Sequence, residues 1–370
     1  MSMQSFEVSF RDEEAVDKQE KPKNILLGIV FTILALCGGA SILPLADEYK
    51  EVNILLRTVW RWQIIVIYCL PCGLYFLYLN RKSIDTKKIF SRDTYLEFLA
   101  HALLWTVAST FYLWSSDFTL VSHTALLSNM GGVFIVMVNL LRLAPVHRLE
   151  IYGTIVVVIF AIIFMNDSSS TKTNGQTNIL LGDIMALATT PLYAMYYIVS
   201  ARLLKKLPTM VILEVSFVFQ LIIYFVFYIC VMDTDKFYSF DPHFGMFGWA
   251  SDTYLVFSLV FVGTFSCLLG VGGYVFTLNF FPPHIVGSIF LLEPAFSQSL
   301  SCILGQDNMP GIITYLGALG ITVGLGISIK GDLLRQKETL PKPQAKNLPK
   351  KLDEEESFHS SLIVTPESNQ

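Results

Sequence analysis

The sequence predicts an all-α membrane protein of ten transmembrane helices arranged as two inverted five-helix repeats. Three observations carry that reading. Of 370 residues, 53% are hydrophobic and only 15% charged, whereas soluble domains are about 25% charged. Apolar stretches of about 20 residues, the length that crosses ~30 Å of hydrocarbon as a helix, recur along the whole chain. The basic residues are also unevenly distributed: with the N-terminus cytoplasmic, 21 of the 26 Lys and Arg fall on that side, and only Lys50, Lys172 and Lys236 fall opposite. Lys and Arg concentrate in short cytoplasmic loops, so an odd number of spans would scramble the bias. Both termini are therefore expected in the cytoplasm. The net charge of −4 sits in tails and loops and points to no nucleic-acid partner.

Residues 1–23 carry Glu7, Asp12, Glu13, Glu14, Asp17 and Glu20 against four basic residues, with few large apolar ones, and read as a disordered cytoplasmic tail. The first repeat, 24–165, opens with a span at 24–46 that Gly38-Gly39 and Pro44 weaken. The second span is 55–79, followed by a basic loop of Arg81, Lys82, Lys87, Lys88 and Arg92. The third and fourth, 95–115 and 122–143, leave room only for a tight turn between them and must be antiparallel neighbours. The fifth is 150–165. The hydrophilic run NDSSSTKTNGQTN, 166–178, is the linker between the halves. The second repeat, 179–330, has spans at 179–203, 211–232, 254–281, 284–305 and 312–329. Between its second and third spans lies a loop too aromatic to read as a solvated linker. Residues 331–370 read as a second disordered cytoplasmic tail.

Five spans per half is an odd number, so the second copy lies inverted. Leu27-Gly28-Ile29 opens the first span as Leu181-Gly182-Asp183 opens the sixth. VSHTALLSNMGG of the fourth span can be laid against IVGSIFLLEPAF of the ninth, which puts Asn129 near the register of Glu293. Inverted repeats with interrupted helices at the midplane are a recurring plan of secondary transporters.

Glu293, central in the ninth span, constrains function most. A carboxylate at the middle of a bilayer costs about 2.5–3.5 kcal/mol even on the lenient insertion scale, so it faces the bundle interior. Pro294 beside it frees backbone carbonyls that need partners elsewhere. Such a carboxylate can exchange a proton and couple it to a conformational change; the architectural alternative is a hydrogen-bonded Glu with a Pro kink. Ser297 and Ser301 share its helix face, and Gln298 borders it. Comparable stripes run through Ser128, Gly131, Ile135 and Asn139 of the fourth span, through Trp105, Ser109, Tyr112 and Ser116 of the third, and through Thr189 or Thr190, Tyr193 and Tyr197 of the sixth. The candidate cavity and coupling residues are accordingly Glu293, Gln298, Ser297, Asn129, Ser128, Trp105, Tyr193, Tyr197 and Arg61. For the small residues, helix packing is the competing reading; the aromatic ones suit rings and cations or simply fill space. Arg61 reads as a snorkelling or ion-paired side chain. His123 and His284 read as interfacial. Gly317, Gly320, Gly324 and Gly326 of the last span allow close packing, within the fold or in a homodimer.

No metal or cofactor is expected. All six cysteines lie in apolar spans, where a thiol behaves as a small hydrophobe, and Cys69-Leu70-Pro71-Cys72 lacks a second pair. An enzyme is not expected either, since the chain has no His-Glu-x-x-His, no Ser/His pair at a sensible depth and no second intramembrane Asp to join Asp183.

GDIMALATTPLYAMYYIVSARLLKK resembles the start of the second repeat in the EamA family of the drug/metabolite transporter superfamily. FLLEPAFSQSLSCILGQDNMPGIITYLGALGITVGLGIS resembles that family's ending, and Trp60-Arg61-Trp62 sits where the family has an Arg-aromatic pair. The resemblance covers 24–330 and is strongest in the second half. Asn129-Met130-Gly131-Gly132 stands where a Pro is usual, and Leu143-Ala144-Pro145 replaces the usual Gly-Glu. The resemblance implies alternating access and export or exchange of small organic solutes, from amino acids to nucleotide sugars. A multi-pass transporter of a small organic solute in the plasma membrane or an endomembrane is thus expected, with proton coupling at Glu293. The alternatives are a nucleotide-sugar or phosphate-ester exchanger and a non-transporting receptor or scaffold. Polyanions call for several cavity cations. Arg57 and Arg61 are the only ones in the second span, which favours neutral, zwitterionic or cationic solutes.

Overall fold

A helix satisfies its own backbone hydrogen bonds, which is why apolar chain crosses lipid in this form. The computed structural model describes residues 25–49, 51–80, 91–167, 178–231, 238–306 and 308–339. The N-terminal tail, the basic loop at 81–90, most of the 166–178 linker and the last 31 residues of the chain lie outside that set. Among the described residues, ten helices are long and apolar enough to span a membrane: α1 Leu26–Asp47, α2 Ile54–Leu79, α3 Arg92–Ser116, α4 Val121–Leu141, α5 Arg148–Met165, α6 Ile179–Lys206, α7 Thr209–Cys230, α8 Leu255–Thr277, α9 Pro283–Ile303 and α10 Ile312–Arg335. The protein is an all-α, multi-pass integral membrane protein.

Two of these spans are interrupted near their centres, where the sequence interrupts its helix-forming pattern. α4 is helical over Val121–Ser128 and again over Gly131–Leu141, with the break at Asn129-Met130. α9 runs as Pro283–Ile289, tightens into a 3₁₀ turn at Phe290–Leu292 and resumes as Glu293–Ile303, with Pro294 in the first turn of the new segment, where its missing N–H costs nothing. The two broken helices cross where neither has a side chain: a Cβ on Gly287 would lie 2.6 Å from the Gly132 nitrogen, and one on Gly132 would overlap the His284 carbonyl.

α5 and α10 pack along their length. Gly317 and Gly324 admit Phe164 and the Gly153 carbonyl, each 2.8 Å from where a Cβ would stand, and Gly320 admits Phe160. The glycine face that the sequence offered to a second copy is thus occupied by α5, and of the four glycines Gly326 alone meets open space. The last helix runs to Thr339, past the 330 boundary read from hydropathy. It does so because Asp332 and Arg335 find partners: Arg335 pairs with Asp332 at 2.6 Å and with Glu150 of α5 at 3.2 Å. Elsewhere α3 lies against α6, α1 against α8, and α2 against α7 and α8. The loop before α8 folds onto α2: the Trp60 indole donates to the Gly245 carbonyl at 3.0 Å, and Trp249 donates to Gln63 at 2.5 Å.

Gly132→Val should lower the unfolding free energy by about 1–3 kcal/mol, the range for overpacking a close contact. It is read as a fall in the thermal midpoint of the detergent-purified protein. Gly326→Ala, in open space, should change it by less than about 0.5 kcal/mol.

Candidate functional site

The break in α9 places Glu293 at the start of its second segment, facing the other helices, and the residue is 1% exposed. Three neutral donors from three helices meet its carboxylate. Tyr112 of α3 donates to Oε1 at 2.8 Å, while Tyr274 of α8 and Asn129 at the break of α4 donate to Oε2 at 2.6 and 3.0 Å. A carboxylate has about four acceptor positions, so one is left. Asn129 also donates to the Ala125 carbonyl at 2.9 Å, so its amide joins the α4 break to the centre of α9. Gly39 of α1 makes the arrangement sterically feasible: a Cβ there would overlap the Tyr274 hydroxyl and lie 3.1 Å from Glu293 Oε2.

Beside the carboxylate is a small cavity lined by Ile42, Arg61, Trp105, Tyr112, Asn129, Tyr193, Tyr197, Tyr274 and Glu293. It has room for about one water molecule and none for an organic solute. Its wall is aromatic: Trp105 stands edge-on to Tyr193 at 5.3 Å between centroids, 5.7 Å from Tyr274 and 4.5 Å from Tyr196 behind it. Six of the nine candidates read from sequence, Glu293, Asn129, Trp105, Tyr193, Tyr197 and Arg61, therefore share one cavity. Ser128 does not reach it and bonds the Ala186 carbonyl of α6 at 3.3 Å. Ser297 and Gln298 are fully buried one turn further along α9, and Ser297 Oγ, Gln298 Oε1 and Gln298 Nε2 have no protein hydrogen-bond partner. Tyr274 and Ile42 are lining residues that the sequence did not single out; a lone Tyr in the apolar, Gly-rich run of α8 was the available signal for the first.

Several readings are corrected. Arg61 neither snorkels nor forms an ion pair: it is 5% exposed, lines the cavity, and its Nε and Nη2 have no protein partner. Arg57, one turn nearer the helix end, takes the ion pair instead, 3.3 Å from Asp117 in the α3–α4 turn. Burial raises the Asp117 carboxyl above its ordinary pKa, and Arg57 opposes that rise. His284 is buried rather than interfacial, with its Nε2 3.6 Å from both Glu150 and Asp332. Glu150, His284 and Asp332 bring their donor atoms within 4.8 Å of one another, as a metal site would, yet the Arg335 guanidinium already bridges the two carboxylates. His123 sits 3.3 Å from Asp183, which also accepts from Thr119 at 2.6 Å. A buried Ser/His pair does exist, His101 Nε2 to Ser200 Oγ at 2.9 Å. Ser200 gives its own proton to the Tyr196 carbonyl, so the serine accepts from the imidazole and is not activated by it.

A carboxylate, a guanidinium with no ion-pair partner among the described residues and an aromatic wall, converging at the centre of ten spanning helices, suit a solute path. Residues 180–329 match the EamA-like transporter family. The second half of the chain is similar to that family. The match covers α6 to α10 and, together with ten spanning helices, supports a membrane transporter in general. None of the curated proteins matches the chain. A solved crystal structure is similar in fold, with a TM-score of 0.59 over 83% of this chain and 98% of the other at 12% sequence identity. That likeness extends the fold well beyond the residues of the EamA match.

Tyr274→Phe and Tyr112→Phe should each lower unfolding free energy by about 1.5–3 kcal/mol, the range for a hydrogen bond to a charged group. Because both act on one carboxylate, the double variant should depart from additivity. Chemical denaturation of the four proteins in detergent checks this.

Proposed function

We propose that this EamA-like protein moves a small organic solute by alternating access, with Glu293 as the group that couples transport to a proton. The observation that carries the reading is the shell of Glu293: three neutral donors, and no cation within ion-pair distance among the described residues. A tyrosine hydroxyl both donates and accepts. Tyr112 and Tyr274 can therefore donate to the carboxylate or, after rotation, accept from the carboxylic acid, so taking up a proton leaves no donor or acceptor stranded. A purely architectural carboxylate would be served as well by one fixed guanidinium.

The cavity beside Glu293 is too small for a solute, and both ends of the bundle are tied. On the side of the 166–178 linker, Arg57–Asp117, Thr119–Asp183 and the bond from Thr314 Oγ to Asp167 at 2.6 Å hold helix ends together. At the other end the Glu150, His284, Asp332 and Arg335 cluster does so. That arrangement supports a closed intermediate between two open states, which two inverted repeats would open in two equivalent ways. The unpartnered Ser297, Gln298 and Ser301, all buried on α9, form a polar line leading from Glu293 toward the linker side, suited to hydration when that side opens. The cavity's one guanidinium falls short of what a nucleotide sugar or phosphate ester requires, which supports the solute reading over the exchanger.

Glu293→Gln keeps the shape and removes the proton site. In proteoliposomes it should fold and lose gradient-driven flux, or lose its pH dependence; unchanged flux with unchanged pH dependence would sink the coupling role. Orientation is tested separately, with both termini cytoplasmic and the linker opposite: a cysteine at Thr173 should react with an impermeant thiol reagent from the side away from the termini, and reaction only from the cytosolic side would reverse the assignment.

A further inference from the structure

We infer that Arg61 is the anion-binding group of the cavity and that the solute is a zwitterion whose single carboxylate it takes. The inference rests on the transport reading above and adds a substrate class to it.

Buried guanidinium groups are almost always paired, because an uncompensated buried charge costs several kcal/mol. Arg61 breaks that rule at a specific place. It is 5% exposed, and among the described residues no carboxylate lies within ion-pair distance of it. What it does touch is neutral: the guanidinium reaches the Cys267 thiol, and its carbon lies 6.0 Å from the Trp62 ring centroid, at the outer limit of a cation–π contact.

The two unpartnered atoms, Nε and Nη2, are adjacent on one edge of the fork. That edge presents two parallel N–H bonds, the geometry that a planar carboxylate accepts with both oxygens. The Trp105 indole N–H, on a ring lining the same cavity, also lacks a protein partner and adds one neutral donor.

Charge then selects the remainder of the solute. Arg61 and Glu293 line one cavity without touching each other, so it offers one positive and one negative end. A carboxylate on Arg61 leaves Glu293, with its one open acceptor position, and the faces of Tyr193 and Tyr197 for an amine. A phosphate ester would bring a second negative charge against Glu293 with no second cation to meet it. A simple amine would leave Arg61 bare. The apolar part of the solute has Ile42 and Trp105 to pack against.

The test measures ligand-induced thermal shifts and tryptophan fluorescence of the full chain in detergent. The probes are L-phenylalanine and L-leucine, their decarboxylated amines 2-phenylethylamine and isoamylamine, the acid 3-phenylpropionate, and glucose 6-phosphate. The expected result is that at least one of the two amino acids binds, with its decarboxylated amine weaker by roughly tenfold or more, as loss of a hydrogen-bonded charged group requires. Arg61→Gln should abolish that discrimination, and Arg61→Lys, which keeps the charge and loses the fork, should fall between. Binding by neither amino acid, equal affinity for acid-free amines, tighter binding of glucose 6-phosphate, or unchanged amino-acid affinity in Arg61→Gln would each overturn the inference. Where Arg61→Gln is not monodisperse, the wild-type comparison of amino acid with amine and the Arg61→Lys affinity decide alone. The two readings fail separately: Arg61-dependent binding with no flux in liposomes defeats transport, whereas flux of 2-phenylethylamine at the rate of L-phenylalanine defeats the carboxylate requirement.

Discussion

A carboxylate at the centre of a membrane bundle must be met by groups from other helices, and the packing around Glu293 follows from which helices supply them. Asn129 reaches it because α4 breaks there, freeing the amide from a continuous helix face. Tyr274 reaches it because α1 carries Gly39 rather than a side chain at the point of passage. Tyr112 reaches it because α3 runs close enough for one phenol to span the gap. The crossing of α4 and α9 at Gly132 and Gly287 holds the two interruptions near each other. A local cost at one residue thus fixes the relation of five helices.

Polar groups are distributed by depth. Among the described residues, the ion pairs lie toward helix ends, as in Arg57–Asp117, Lys206–Glu97 and the Arg335 cluster, while the centre is held by neutral hydrogen bonds. Lys206–Glu97, the more exposed of these, can separate into water at little net cost, since exposed pairs are worth about 0–1 kcal/mol. The more deeply buried Arg335 cluster is harder to break, because separating it strands Glu150 and Asp332 until water enters. On the proposed cycle the end held by the Arg335 cluster, with two buried carboxylates to hydrate, would be the more demanding of the two to open.

The ten spans were legible because length and apolarity suffice to define a membrane helix, and laying the two interrupted helices against each other put Asn129 near the register of Glu293, the residue it bonds. Arg61 was misread because its depth was judged by distance from the start of α2. The loop at 238–252, whose Gly245 and Trp249 bond Trp60 and Gln63, closes over that end and turns an apparent interfacial residue into a central one. His284 was misread for a related reason: its partners Glu150 and Asp332 are distant in sequence, and only the packing of α5 against α10 brings them together. The last helix outran its hydropathy because the same cluster gives Asp332 and Arg335 a reason to stay helical. In each case a long-range contact decided what the local pattern could not.

Opposite charges that share a low-dielectric cavity attract strongly, so Arg61 and Glu293 would be expected to collapse into an ion pair unless something kept them apart. The hydrogen bonds from Tyr112, Tyr274 and Asn129 hold the carboxylate in place, and the rings of Trp105, Tyr193 and Tyr197 occupy the walls between α3, α6 and α9. The result is a pair of charges kept separate by packing, each with capacity for one more partner. That separation has a cost in the absence of a bridging molecule. On the zwitterion inference it is recovered by a species that carries a complementary pair of charges at similar spacing, and not by one of a single sign. A site of this kind discriminates through what it leaves unsatisfied: a wrong solute is rejected less by collision than by the bare charge it fails to cover.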